Sequence, residues 1–142
     1  MKTEVCHEHH DSKEDDTHPV NAALKLLFDN CDVIAAVLAI TVDGYKVCEY
    51  KRRDISLTRL TAMGSTLISL GDAITDDMRM GACKNIICEN EEGIVIFMHI
   101  NKDLILAVFT YEQDSLGLLL SVCRRSVENL KKLNQTELRQ CN

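Results

Sequence analysis

The feature that most constrains the fold is the stretch Val33–Val42, which is almost entirely apolar and rich in β-branched residues. Such a run is typical of a central strand that is buried on both faces. Asp43-Gly44 follows it directly, and this dipeptide is the strongest short signal for a β-hairpin. We therefore predict a central strand, a tight turn and a returning strand over Tyr45–Tyr50.

Helical periodicity lies on both sides of this hairpin region. A first helix is predicted from Pro19, with Thr17 or His18 as its cap, because proline at the first helical position loses no hydrogen bond. Its apolar stripe contains Val20, Ala23, Leu24, Leu27 and Phe28. A last helix is predicted after Asp114 or Ser115, either of which can cap it. Its apolar stripe contains Leu116, Leu119, Leu120, Cys123, Val127 and Leu130.

The second predicted helix is longer, has Ser56 as its candidate cap, and carries two distinct faces. Large apolar residues recur every three or four positions and form one apolar face over about six turns. They are Leu57, Leu60, Met63, Leu67, Leu70, Ile74 and Met78. A second face is small and weakly polar. It contains Thr61, Gly64, Ser65, Ile68, Gly71, Asp72 and Thr75. Two interpretations of its glycines stay open: they let this helix lie close to the sheet, or they let another backbone approach from outside.

Three short strands follow in quick succession. They are predicted over Asn85–Glu89, Gly93–Ile100 and Leu104–Thr110, and the loops between them have the length of hairpin connections. The three strands should form an antiparallel meander. Together with the first hairpin and the three helices they give an α+β domain of two or three layers. We predict this domain over residues 19–134, followed by a frayed C-terminus over 135–142.

The first eighteen residues differ in composition from the rest. The 142-residue chain has a net charge of −6, and residues 1–18 hold two lysines and six acidic residues, a net of −4. Since apolar side chains are almost absent here, we predict a disordered acidic tail. Part of the tail resembles a metal-chelating cluster. Its candidate ligands are Cys6, His7, Glu8, His9, His10, Asp11 and His18. The alternative is a solvated tail with incidental ligands, since nothing nearby would support a metal site, and we assign no metal or cofactor.

Composition argues against several classes of function. Aromatic residues make up 4% of the chain and tryptophan is absent, which disfavours a module that stacks on bases. The acidic balance disfavours a phosphate backbone or an anionic membrane as partner. No apolar run approaches the roughly 18 residues of a membrane span, and the charged N-terminus predicts no signal peptide. Seven cysteines without a CxxC pair favour buried thiols in the cytoplasm.

Catalytic motifs are missing from the sequence. It contains no phosphate-binding loop, dinucleotide fingerprint, HExxH or GxSxG. His99 is the natural candidate for a general base, but a lone histidine in an apolar strand is more often structural. Cys83 and Cys88 lack two further metal ligands. Arg52 and Arg53 could reach a phosphate or a partner's carboxylate, or face solvent. The missing catalytic set favours a binding protein.

Taken together, these segments resemble the roadblock/dynein light chain domain family, which includes the bacterial MglB proteins. The resemblance covers roughly residues 21–133. It rests on the first strand closed by Asp43-Gly44, the long glycine-containing helix, the strand beginning Gly93-Ile94-Val95-Ile96, the strand containing Leu104, and Leu116-Gly117. Ala35 and Ala36 stand where members often have glycines.

The resemblance implies a profilin-like fold with a five-stranded antiparallel sheet and three helices that forms homodimers or heterodimers. In this family the third strands pair edge to edge across a twofold axis, so that the sheet continues through the dimer. The two long helices lie together on one face, which meets a Ras-like GTPase. Carried onto this chain, the dimer strand is Asn85, Ile86, Ile87, Cys88 and Glu89. The partner-binding helix face is Thr61, Gly64, Ser65, Ile68, Gly71, Asp72 and Thr75.

The short apolar strand Ile86-Ile87-Cys88 supports a dimer independently, because an exposed edge of this kind invites another strand. We therefore predict a non-enzymatic, cytoplasmic, dimeric adaptor that binds a Ras-like small GTPase and modulates its nucleotide state. Arg59 is the nearest candidate for an arginine finger. One alternative is a nucleotide-insensitive scaffold or light-chain subunit of a motor or signalling assembly. Another is a metal or redox sensor that uses the N-terminal tail.

Overall fold

The computed structural model describes residues 18–141, with side chains described for residues 18–132. The elements follow one another in the predicted order. They are α1 (Pro19–Asn30), β1 (Ala36–Thr41), β2 (Lys46–Lys51), α2 (Thr58–Asp77), β3 (Asn85–Asn90), β4 (Gly93–His99), β5 (Leu104–Thr110) and α3 (Leu116–Cys141). A short 3-10 turn, Gln113–Ser115, precedes α3. Because α3 runs past residue 134, the predicted end of the domain stays a prediction.

The five strands form one antiparallel sheet in the order β2-β1-β5-β4-β3. β1 lies between β2 and β5, with Val37 opposite Val108 on the β5 side. β3, β4 and β5 form the predicted meander, with Ile87 opposite Ile96. The predicted five-stranded antiparallel sheet with three helices is confirmed, and the strand order leaves β2 and β3 at the two edges.

Helices cover both faces of the sheet, which explains the almost continuous apolar sequence of β1. Val37 belongs to a core with Leu24 of α1 and residues of α3. Leu38, one residue further on, belongs to a second core with Ile68 of α2. Because successive side chains of a strand point to opposite faces, a single strand serves both cores. The domain therefore has three layers, with α1 and α3 on one face of the sheet and α2 on the other.

The starts of the first two helices are set in different ways. Nδ1 of His18 accepts a hydrogen bond from the backbone N–H of Val20 at 3.1 Å, so His18 is the cap of α1. The prediction that Ser56 caps α2 is wrong, because α2 begins after Leu57 without a side-chain cap bond. Leu57 is buried, and the hydroxyl of Thr61 donates to its carbonyl oxygen at 3.2 Å. Packing of Leu57 therefore fixes the start of α2.

Candidate interaction site

The small-residue face of α2 lies against the sheet. A Cβ atom at Gly64 would lie 2.9 Å from Cε1 of Phe97, and a Cβ atom at Gly71 would lie 2.8 Å from Cδ1 of Ile86. Real Cβ atoms essentially never come that close to another heavy atom. The two glycines therefore let α2 approach β4 and β3, and the expectation that this face is open to a partner is wrong.

The remaining members of that face are buried or half-buried within the domain: Thr61, Ser65, Ile68, Asp72 and Thr75. Ile68 is fully enclosed in the core beneath α2. The Thr75 hydroxyl donates to the backbone carbonyl of Asp72 at 3.2 Å. The set predicted as a docking surface is thus mostly occupied by contacts inside the chain.

The bulk of the sheet explains which face of α2 points inward. Successive helical residues are separated by about 100°, so Met63 and Gly64 lie on adjoining faces. The sheet presents the large side chains of Phe97 and Ile86 to the helix. Because protein interiors are densely packed, these large side chains fit against the part of the helix that carries small residues. Four of the larger apolar residues of α2 are left outside.

Four large apolar side chains of α2 are consequently exposed. Met63 is 56% exposed, Leu70 56%, Ile74 54% and Met78 59%. Of the predicted apolar face, Leu57, Leu60 and Leu67 join the core beneath α2, and these four do not. Neighbouring apolar side chains with this exposure are uncommon on the surface of a single soluble chain. We call Met63, Leu70, Ile74 and Met78 the α2 apolar face.

Strand β3 lies beside the C-terminal half of α2 and forms an open edge of the sheet. Over residues 18–141 it pairs with β4 alone. Its sequence has no proline or lysine, its pairing has no register shift, and Ile87 is partly exposed. The predicted dimer strand Asn85, Ile86, Ile87, Cys88 and Glu89 is therefore free to accept another strand. Its pairing with a second copy stays a prediction.

The other edge strand, β2, carries features that discourage further pairing. Lys46 and Lys51 each lie 3.6 Å from a carboxylate oxygen of Glu49. The pairing of β2 with β1 also shifts register between Ala39 and Ile40. Charged side chains and irregular pairing both protect a sheet edge from association. The two edges therefore differ, and β3 is the one suited to an interface.

His99, the candidate general base, lies between two acceptors. Its Nε2 is 3.2 Å from Oδ2 of Asp72, and its Nδ1 is 3.3 Å from the backbone carbonyl oxygen of Asn101. Cys83 and His99 line a groove that extends to Arg124 of α3. Burial, and after it the charge of Asp72, raises the pKa of the Cys83 thiol. A raised pKa disfavours the nucleophilic thiolate. Through its contact with Asp72, His99 connects β4 to α2.

Arg52 fastens the turn between α1 and β1. Its Nε donates to the carbonyl oxygen of Ile34 at 2.8 Å, and its Nη2 donates to the carbonyl oxygen of Phe28. The guanidinium carbon lies 4.1 Å from the centre of the Phe28 ring. The guanidinium carbon of Arg53 lies 4.2 Å from the centre of the Tyr111 ring. The idea that Arg52 reaches a phosphate or a partner is wrong, because its donors hold the backbone of its own chain.

The described residues show neither a metal-binding cluster nor a helix that could span a membrane. Residues 18–132 contain no group of three or more His, Cys, Asp and Glu side chains that could hold a metal ion. The candidate ligands Cys6–Asp11 of the N-terminal tail lie outside the described residues. Among the described helices, none combines the length and the apolar character needed to cross a membrane.

Several solved structures have folds similar to that of this chain. No family model and no curated protein matches the chain. Myxococcus xanthus MglB matches with a TM-score of 0.76 at 16% identity, over 87% of this chain and 99% of that one. A Roadblock/LC7 domain from Streptomyces avermitilis matches with a TM-score of 0.69 at 15% identity, over 78% of this chain and 93% of that one. An MglB with a tetrameric arrangement matches with a TM-score of 0.72 at 14% identity, over 83% of this chain and 91% of that one.

These likenesses define the class of fold. The chain has the roadblock/LC7 fold, as its sequence resemblance implied. The fold is similar to that of MglB, since two MglB structures match with TM-scores of 0.76 and 0.72.

Proposed function

We propose that two copies of this chain join through β3 and the C-terminal part of the α2 apolar face (Leu70, Ile74 and Met78), and that the dimer is an adaptor for a Ras-like small GTPase. The observation that carries the proposal is the exposure of Met63, Leu70, Ile74 and Met78 beside an open strand edge. Pairing of β3 with its own copy about a twofold axis would continue the sheet through both protomers. It would also bring the two α2 helices together on one side of that sheet.

The two halves of α2 have different tasks in this proposal. Gly71 lies against Ile86, so the C-terminal half of α2 is next to the dimer edge. Leu70, Ile74 and Met78 belong to this half and would be covered by the second copy. Met63 lies about 16 Å from Ile74 along the helix axis and would stay open to a further partner.

The open half of α2 has a second apolar neighbour. The turn between β1 and β2 lies beside this part of the helix, since a Cβ atom at Gly44 would be 4.0 Å from Cα of Ala62. Tyr45, in the same turn, is highly exposed. Methionine and tyrosine side chains suit protein interfaces, because one adapts its shape and the other is large and rigid. We assign Met63 and Tyr45 to the GTPase contact.

A regulator of a GTPase, rather than a nucleotide-binding enzyme, fits the chain. The sequence has no phosphate-binding loop, so the partner would hold the nucleotide. Arg59 is the single arginine of α2 and is exposed in its first turn. Repositioning of the GTPase's own catalytic groups needs no inserted arginine, and the resemblance to the roadblock family supports this mode. We also propose that the chain acts in the cytoplasm, since its seven cysteines include no CxxC pair and favour buried thiols in a reducing compartment.

Sedimentation velocity tests the dimer. Ile74→Glu places a charge in the proposed seam and should yield monomers, since a charge buried without a partner is strongly unfavourable. Ser69→Glu adds the same charge at an exposed position on another side of α2 and should leave the dimer intact. An Ile74→Glu variant that sediments like the parent chain would place the interface elsewhere.

Capture of a Ras-like GTPase encoded beside this gene, loaded with GTP analogue or with GDP, tests the regulator. We expect stronger capture in one nucleotide state, and loss of capture in Met63→Glu while the dimer persists. Equal capture in both states would remove the regulatory role and leave a scaffold. No capture in either state would remove the GTPase partner without affecting the dimer.

A further inference from the structure

A second groove lies between α1 and α3, on the face of the sheet opposite α2. Its volume is about 640 Å³. Small side chains, among them Ala22, Ala23 and Ser126, keep it open. Leu26 also lines it and is 62% exposed, which is unusual for a leucine inside a helix that packs on a core. The groove thus combines an uncovered apolar side chain with room for an extended segment.

The charge of this groove selects the kind of segment that fits. Arg125 and Lys132 line it, and no Asp or Glu is found among its described lining residues. The whole chain has a net charge of −6, of which −4 belongs to residues 1–18. A ligand with carboxylates close to an apolar side chain would match both features of the groove.

The chain carries such a segment next to the groove. Residues 1–17 hold six acidic residues and two lysines, and they join the domain at His18, directly before Pro19, which itself lines the groove. Glu14, Asp15 and Asp16 are three to five residues from Pro19, a reach of at most about 18 Å. Helix α1 is itself about 18 Å long. A tethered segment binds at a high effective concentration, so that weak contacts suffice.

We propose that the groove between α1 and α3 is the docking site of the chain's own N-terminal segment. The carboxylates of Glu14–Asp16 lie against Arg125, and Val5, which can extend about 45 Å from His18, covers Leu26. The docked segment closes this face to other acidic partners. It lies across the sheet from α2, so it leaves the proposed GTPase surface untouched.

Methyl NMR spectra of the full chain test the proposal. Arg125→Glu and Asp15→Lys/Asp16→Lys should each shift the methyl resonances of Ala22, Ala23 and Leu26 to the same new positions. The combined charge swap should return them towards the parent positions. High salt should reproduce the shifts in the parent chain, because the screening length falls to about 3 Å at 1 M.

Arg124→Glu is the matched control, since Arg124 makes the same charge change one residue away but lines the groove on the other side of α3. It should leave these methyl resonances unchanged. Parent-like methyl positions in Asp15→Lys/Asp16→Lys would overturn the proposal. So would shifts that depend on protein concentration, because they would mean that the segment binds a second copy.

Discussion

Gly64 of α2 lies directly against Phe97 of β4, and a Cβ atom at Gly64 would come within 2.9 Å of Cε1 of that ring. Phe97 is buried in the core beneath α2 and its ring cannot move aside freely. The separation of α2 from the sheet therefore depends on this glycine. The exposure of the α2 apolar face depends on it too, because close packing of the small face leaves the large one outside.

Gly64→Ala should destabilise the domain. A methyl group gains about 1 kcal/mol in helix propensity, but overpacking a core costs about 1–3 kcal/mol. We expect a net loss of about 1 kcal/mol in the free energy of unfolding by urea. Gly117→Ala in α3 is the control, since nothing lies within 4 Å of its Cβ position. It should gain about 0.4–1 kcal/mol. A Gly64→Ala variant as stable as Gly117→Ala would contradict the packing described.

Ile87→Pro should convert the proposed dimer into monomers. Proline removes a backbone N–H from the edge strand, and sheets tolerate it at edges without loss of the fold. Light scattering gives the oligomeric state, and far-ultraviolet circular dichroism checks that the fold is kept. Ile87→Thr keeps the N–H and the β-branched shape, so it should remain a dimer. An unaltered dimer affinity in Ile87→Pro would exclude β3 as the seam.

Arg52→Ala should destabilise the domain far more than its exposed position suggests. The guanidinium donates to the carbonyls of Ile34, Phe28 and Cys31. Losing such charge-assisted bonds costs about 1.5–3 kcal/mol. Arg52→Lys should not restore stability, because lysine lacks the planar fork and stacks poorly on a ring. Arg53→Ala is the control, since it removes a ring contact only. It should lower the free energy of unfolding by about 0.5–1 kcal/mol in the same assay.

The stability of the domain should fall in alkaline solution partly because of Cys123. Burial, and after it the nearby Cys31, raises the pKa of the Cys123 thiol from 9.0 to about 12. The unfolded chain therefore loses this proton first, and stability falls as the pH rises from 9.0 towards 12 but not below that range. Cys123→Ala should remove up to about 1.4 kcal/mol of loss per pH unit.

Urea unfolding on both sides of pH 9.0 measures this slope. Val127→Ala is the control, because it trims a buried side chain of the same helix that carries no ionisable proton, and it should keep the parent slope. The cavity left by Cys123→Ala lowers stability equally at every pH, so only the slope carries the prediction. An unchanged alkaline slope in Cys123→Ala would contradict it.

Local patterns were enough for the order of elements and for the meander. The run Val33–Val42 indicated a strand buried on both faces, and β1 indeed serves two cores. His18 and Pro19 marked the start of α1 because capping depends on neighbours in the chain. The edge position of β3 could be expected from the family resemblance, and the strand order confirms it.

The same local patterns do not predict contacts between residues that lie far apart in the chain. The sequence offers Arg52 as a contact for a phosphate or a partner's carboxylate, or as a solvent-facing residue, yet its guanidinium donates to carbonyl oxygens 18 to 24 residues away. His99 was read alone, yet it meets Asp72 from another layer, 27 residues earlier. No spacing rule along the chain links these pairs, because their geometry exists only once α2 lies on the sheet.

The sequence by itself determined the three helices, the five strands, their antiparallel pairing and an acidic segment ahead of the domain, since hydrophobic period, turn residues and charge are local properties. Only the tertiary structure decided which side of α2 is buried. That helix carries two adjoining faces that could both pack, and the choice depended on Phe97 and Ile86, which lie far along the chain. Their bulk admits the glycine face alone, and it leaves the methionine and leucine face to water or to a partner.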